Sequence, residues 1–153
     1  MKRFLLSLML FISSLVSFGQ HLEIVESNLP GPSQTFLNEY YSNEKYQDKI
    51  CFVEYDDDSG RVEGFDVLFY NGTKVEFDKN GRFESITCSK NDTINIDIIP
   101  RHIYNAFKRY NIDNSKLVEY SIDRGRLAIT YEFDLFNGKE LKFNKNGDLK
   151  EVE

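Results

Sequence analysis

The chain has 153 residues, 25 Asp plus Glu against 19 Lys plus Arg, and no Trp, for a formal net charge of −6. That length suits one domain, or two half-domains sharing a core, and excludes a large multidomain enzyme. Acidity without a long basic block argues against nucleic-acid binding, which needs clustered Lys and Arg, while 13 Phe and 9 Tyr are too many for a disordered tail.

Lys2-Arg3 lead into the apolar run Phe4-Leu5-Leu6-Ser7-Leu8-Met9-Leu10-Phe11-Ile12, and Ser17 and Gly19 are small residues three and one positions before Gln20. This pattern predicts a signal peptide over residues 1–19, cleaved before Gln20. The alternative, a membrane anchor, fits less well, because Ser13-Ser14 interrupts a run already short of the roughly 20 residues a span needs. No cysteine follows the run, so no lipoprotein anchor is expected. The product is expected to be exported, periplasmic or secreted, with no membrane insertion after signal removal. Its 134 remaining residues carry 25 acids against 17 Lys plus Arg, a charge of −8.

The first half, residues 20–88, opens with Phe36, Leu37, Tyr40 and Tyr41 on one face of a predicted helix. Alternation then marks strands: Cys51, Val53 and Tyr55 against Phe52 and Glu54, followed by Phe65, Val67 and Phe69 against Asp66 and Leu68. Between them, Asp56-Asp57-Asp58-Ser59-Gly60 reads as an acidic hairpin. The alternative is a weak calcium site, since hard cations take clustered carboxylates, but the spacing of a twelve-residue calcium loop is missing. The next turn can be tested by register. A two-residue Asn71-Gly72 turn opposes Leu68 to Val75 and Asp66 to Phe77. A three-residue loop, Tyr70-Asn71-Gly72 with Gly72 left-handed, opposes Val67 to Val75 and Phe65 to Phe77. Only the second keeps the apolar set on one face, so it is predicted. The turn Lys79-Asn80-Gly81 is equally clear, but the strand after it mixes parities and its register stays open.

A linker rich in Asn, Asp, Ser and Thr, residues 89–98, is expected to run over the surface. In the second half, residues 99–153, Pro100 suits a helix start, and Ile103, Ala106, Phe107 and Tyr110 share a face that is read as core. The segment Asn71–Phe83 recurs 66 residues later as Asn137–Leu149, with six of thirteen positions identical, including both Asn-Gly pairs. This indicates an internal duplication. The same bulged loop then opposes Phe133 to Leu141 and Tyr131 to Phe143. The predicted fold is α+β: tandem helix-plus-four-strand units forming one antiparallel sheet with helices packed on one face. Cys51 and Cys88 fall at opposite ends of the first meander. Three strand spacings, about 14 Å, exceed the roughly 7 Å a disulfide tolerates, so both are expected to stay unbridged.

Catalytic patterns are missing. His21 and His102 are the only histidines, and neither lies near a nucleophile motif; no Ser elbow, His-Glu-x-x-His or Cys/His cluster occurs. No enzymatic activity and no cofactor are expected. What remains is surface. The sheet face away from the helices is expected to carry Phe52, Leu68 and Tyr70 among Asp66, Glu54 and Glu76, and to bind an unknown protein or peptide.

The run Phe133–Gly147, the matching run Phe65–Gly81 and the helix start at Ile99-Pro100 resemble the PepSY-like, or β-lactamase-inhibitor-like, family of the Bacteroidetes envelope. The resemblance extends from about Leu29 to Val152. It implies the tandem arrangement above, with one curved eight-stranded sheet. It also implies a narrower function, inhibition of a secreted or periplasmic hydrolase of peptidase or β-lactamase type. Inhibition by the family's namesake depends on an inserted loop. The corresponding turn here, Tyr70-Asn71-Gly72-Thr73, has no insertion, so no inhibitory residue is carried over. Asp92-Thr93-Ile94 resembles an O-glycosylation acceptor of the same bacteria. A third reading is a small-ligand or calcium module using Asp56, Asp57 and Asp58.

Overall fold

A computed structural model describes residues 29–41, 50–58, 61–89 and 91–153, with the backbone alone for 50–58, 61 and 62. The predicted signal segment and His21 lie outside the described residues. Helix α1 spans Gly31–Tyr41, and strands β1 (Ile50–Asp58), β2 (Arg61–Phe69), β3 (Lys74–Asp78) and β4 (Phe83–Thr87) follow. A single 3₁₀ turn, Ile96–Ile98, leads into α2 (Arg101–Tyr110), then β5 (Leu117–Arg124), β6 (Ile129–Leu135), β7 (Glu140–Asn144) and β8 (Leu149–Val152). The eight strands form one antiparallel sheet in sequence order. The two meanders meet where Ser85, Ile86 and Thr87 of β4 pair with Ser121, Tyr120 and Glu119 of β5.

Register sets the two faces. Val67, Val75, Ile86, Tyr120, Phe133 and Leu141 stand opposite one another in a single row across six strands. Each is at most 2% exposed. Burying a side chain of this size contributes roughly 1.5–3 kcal/mol, so this row is the axis of the core. Both helices pack on its side. The ring of Phe36 in α1 lies 4.8 Å from Phe83, and Phe107 of α2 stacks 4.5 Å from Phe133. Tyr120 joins them, 5.9 Å from Phe83 and 5.1 Å from Phe133. An unbroken chain of aromatic rings therefore links the two helices through the sheet.

The bulged hairpin loops form as the parity argument requires. Val67 faces Val75 and Phe65 faces Phe77; Phe133 faces Leu141 and Tyr131 faces Phe143. Gly72 and Gly138 take φ of 83° and 85°, and the Asn before each accepts from the backbone two residues on. The mixed parity after the second turns has a plain cause. Phe77 pairs Phe83 but Glu76 pairs Ser85, and Phe143 pairs Leu149 but Lys142 pairs Glu151, so each last strand carries an extra residue.

Two expectations fail. The linker is not wholly on the surface: Ile94 is 5% exposed and joins the core, and Asp92 is buried and accepts a hydrogen bond from the Asn71 side-chain amide. An apolar residue and a paired carboxylate draw the segment down beside the first hairpin loop. Tyr110 is not core either; at the last residue of α2 it is 44% exposed, its ring touching Phe143 from the rim. In α2 the buried residues are Ile103, Ala106 and Phe107. The strand order places β2 and β3 between Cys51 on β1 and Cys88 after β4.

Candidate functional site

Opposite the core row, alternation turns polar side chains outward on the face away from both helices. One open-face row reads Asp66, Glu76, Ser85, Ser121, Glu132, Lys142 and Glu151 across β2 to β8. A second reads Leu68, Lys74, Thr87, Glu119, Asp134 and Glu140 across β2 to β7. Carboxylates dominate both rows, and Lys74 and Lys142 are their only cations. Glu119, Asp134 and Glu140 are directly opposed on three successive strands, an arrangement that costs stability between like charges.

The two lysines compensate locally. Lys74 pairs with Asp66 at 3.2 Å and with Glu76. Lys142 pairs with Glu140 at 3.1 Å and Glu151 at 3.5 Å. Burial works against ionised Glu76, but the Lys74 ammonium and the Ser85 hydroxyl hold its carboxyl below the ordinary range. Elsewhere compensation is incomplete. Burial, then the Asp134 charge, pushes Glu119 up; burial, then Glu140, pushes Asp134 up. Glu132 is raised chiefly by burial, despite Lys142, and Glu84 by burial and then by Asp78. At the middle of the face a hollow of about 400 Å³ is lined by Glu76, Glu84, Glu119 and Asp123 together with Arg82 and Arg124. The face therefore presents a wide, mainly negative surface with a shallow centre.

The residues expected on this face divide. Leu68 is there, half-buried, between Phe52 by backbone register and Lys74. The side chains of Phe52, Glu54, Asp56, Asp57 and Asp58 lie outside the described residues. Backbone pairing puts the three aspartates at the end of β1, with Asp58 opposite Arg61. Tyr70 stands in the hairpin loop just beyond the paired residues of β2 and is 73% exposed. Its counterpart Phe136, after β6, is 61% exposed. The acids of the second half, Glu119, Glu132 and Asp134, are missing from the residues singled out by sequence. The signal is nonetheless present: extending the Phe133–Leu141 register across β5 and β6 puts all three on one face. Among the described residues no group of three or more His, Cys, Asp or Glu is arranged to hold a metal. His102 is tied to structure, its Nε2 lying 3.0 Å from the Lys145 carbonyl.

A family model described as "Putative beta-lactamase-inhibitor-like, PepSY-like" matches residues 63–151, from β2 through β8. The chain belongs to this family. The first half of that description likens the family to an inhibitor, a type of protein that binds rather than catalyses. Three solved structures share the fold. A Bacteroides thetaiotaomicron protein named "putative calcium-regulated periplasmic protein" is 28% identical, with a TM-score of 0.70, covering 85% of this chain and 94% of that one. A Bacteroides vulgatus "putative periplasmic protein" of the DUF2874 family is 27% identical, with a TM-score of 0.66 and coverage of 85% and 94%. A second B. vulgatus protein, of unknown function, is 26% identical, with a TM-score of 0.68 and coverage of 86% and 97%. No curated protein matches the sequence.

Proposed function

We propose that this PepSY-like chain is a non-catalytic exported binding protein that holds a protein or peptide on its open sheet face. The observation that carries the reading is the asymmetry of the sheet. Both helices lie on one face, and the other carries outward carboxylates at Asp66, Glu76, Glu119, Glu132, Asp134 and Glu140, several of them harder to ionise than usual. A domain stabilised only for itself has no use for directly opposed acids at Glu119, Asp134 and Glu140. The partner's contact surface is correspondingly basic, with Leu68, which backbone pairing sets opposite Phe52, supplying the apolar edge. Export is supported by the charged and apolar start of the chain and by relatives named as periplasmic. Among the described residues no helix is long and apolar enough to cross a membrane. We also read the halves as tandem copies, since each repeats one helix, four strands, two left-handed glycine turns and one bulged last strand.

The test passes envelope extract over three immobilised forms of the purified protein: the natural chain, Glu119→Lys/Glu132→Lys, and Leu127→Ala. Leu127 is fully exposed in the β5–β6 loop, so it serves as a control away from the face. A protein retained by the natural and Leu127→Ala forms, released by salt and absent from the charge-reversed column, is the expected result. Retention that ignores the charge reversal contradicts the reading. If the retained protein is a hydrolase and is slowed when bound, the narrower inhibitor function follows. The calcium reading is favoured only by the name of the B. thetaiotaomicron relative and by Asp56, Asp57 and Asp58. It requires a rise in melting temperature with millimolar calcium that Asp57→Asn abolishes.

A further inference from the structure

A second cavity lies on the helix side, away from the acidic face, where the linker, the last turns of α2 and the start of β5 meet. Its volume is about 490 Å³, within the range of small-molecule sites. Ile94, Tyr104, Phe107 and Leu117 give it an apolar lining, and Ile96, 46% exposed, stands at its edge. The aromatic lining is packed on the core. Phe107 stacks on core Phe133, and Tyr104 lies 6.1 Å from Phe107 with the rings 26° apart.

The charge of the lining runs opposite to that of the protein. Among the described residues that line it, Lys108 and Lys116 are the charged ones and none is a carboxylate, in a chain carrying an excess of six acids. Both ammonium groups are positioned by the fold. Lys108 Nζ sits 4.8 Å from the centroid of the Tyr104 ring, and Lys116 Nζ donates to the Ser89 carbonyl at 3.1 Å. Asn111 shapes the floor of the adjoining loop, its side chain bonding both the N–H and the carbonyl of Ser115. An apolar hollow whose described lining carries two positioned cations has a defined complement: a small molecule with an apolar body and one anionic head.

We propose that the cavity between the linker and α2 binds a small amphipathic carboxylate, its chain against Tyr104, Phe107 and Leu117 and its head between Lys108 and Lys116. This site is independent of the protein-binding face, and neither requires the other. The test is an NMR titration of the isotope-labelled protein with octanoate, and separately with octylamine, which keeps the tail and reverses the head. The expected result is saturable movement of backbone amides in residues 93–96 and 104–117 with octanoate, at a dissociation constant of roughly 1 mM or below, and none with octylamine. Lys108→Gln/Lys116→Gln should weaken octanoate binding by about fivefold or more at unchanged melting temperature. Scattered or unsaturable shifts, equal binding of the two probes, or octanoate binding unaltered by the double change would overturn the proposal. If the double variant fails to fold, the comparison of the two probes on the natural chain decides alone.

Discussion

Gly81 and Gly147 show how much can depend on one missing Cβ. Both adopt left-handed backbone, φ 78° and 84°, in the second turn of their halves, and both lie against the preceding helix. A Cβ on Gly81 would meet the Pro30 Cβ at 2.7 Å and the Ser33 backbone nitrogen at 3.1 Å. At Gly147 it would meet the Ala106 Cβ at 3.3 Å, whereas at Gly138, φ 85°, it would meet nothing. All three positions share the strain of left-handed backbone, roughly 1 kcal/mol for an L-residue, but Gly81 adds a steric conflict with backbone that cannot swing away. Gly81→Ala should therefore destabilise by about 2–4 kcal/mol and Gly138→Ala by about 1 kcal/mol, read from urea midpoints. Equal losses at the two sites would show that turn strain alone accounts for the glycines and that the helix contact is incidental.

At the scale of elements, the turns that follow β3 and β7 use one device twice. The Asp78 carboxylate accepts from the backbone of Asn80 at 2.8 Å and Arg82 at 2.9 Å, and Asn144 accepts from Asn146 at 2.9 Å and Asp148 at 3.0 Å. Asp78 adds an ion pair to Arg82 at 2.7 Å. Although burial disfavours its charge, the Arg82 N–H and guanidinium hold the Asp78 carboxyl below its ordinary range. Asp78→Ala leaves two backbone donors without their acceptor and should cost about 1–3 kcal/mol, with Asp78→Asn recovering part of the loss because its side-chain oxygen still accepts. A fully stable Asp78→Ala protein would contradict this role. Such turns were legible in the sequence because Asn-Gly chemistry is local and parity constrains register. The extra residues at Glu84 and Lys150 were not, because a bulge changes pairing without altering the residue types around it. Linker burial was equally hidden: Ile94 and Asp92 are ordinary loop residues until the first hairpin loop is beside them. The site was half legible, since alternation marks an outward face, but the row that matters emerges only when β4 pairs β5 and joins acids from both halves.

Across the whole molecule, the acidic face should govern how stability depends on pH. Glu84, Glu119, Glu132 and Asp134 are raised above their ordinary values of 4.5 and 3.8, first by burial and then, against partial relief from nearby cations, by neighbouring carboxylates. The folded chain therefore binds protons on these groups at a pH where the unfolded chain has not yet done so. Stability should rise as pH falls from neutral towards those ordinary values. Glu76 and Asp78 are shifted the other way, so below 4.5 and 3.8 the unfolded chain takes protons first and stability declines as pH drops through their folded values. Urea midpoints measured from neutral pH downward should therefore rise, pass through a maximum on the acid side of neutrality, and then fall. A steady decline from neutrality would contradict the assignment of strain to the open face.

The central claim is that this face is arranged for a partner at the expense of the chain's own stability. The most direct measurement is urea unfolding, at neutral pH and low salt, of Glu119→Gln/Asp134→Asn beside the natural protein. The two changes remove one pair of opposed charges, while the amide that replaces the Glu119 carboxylate keeps an oxygen able to accept from Thr87 Oγ1, which lies 3.2 Å from that carboxylate. The variant should be more stable by about 0.5–1 kcal/mol, with the gain shrinking as salt is added. A variant less stable than the natural chain would mean that these carboxylates hold the sheet together, and the open face would lose its claim to be a binding surface.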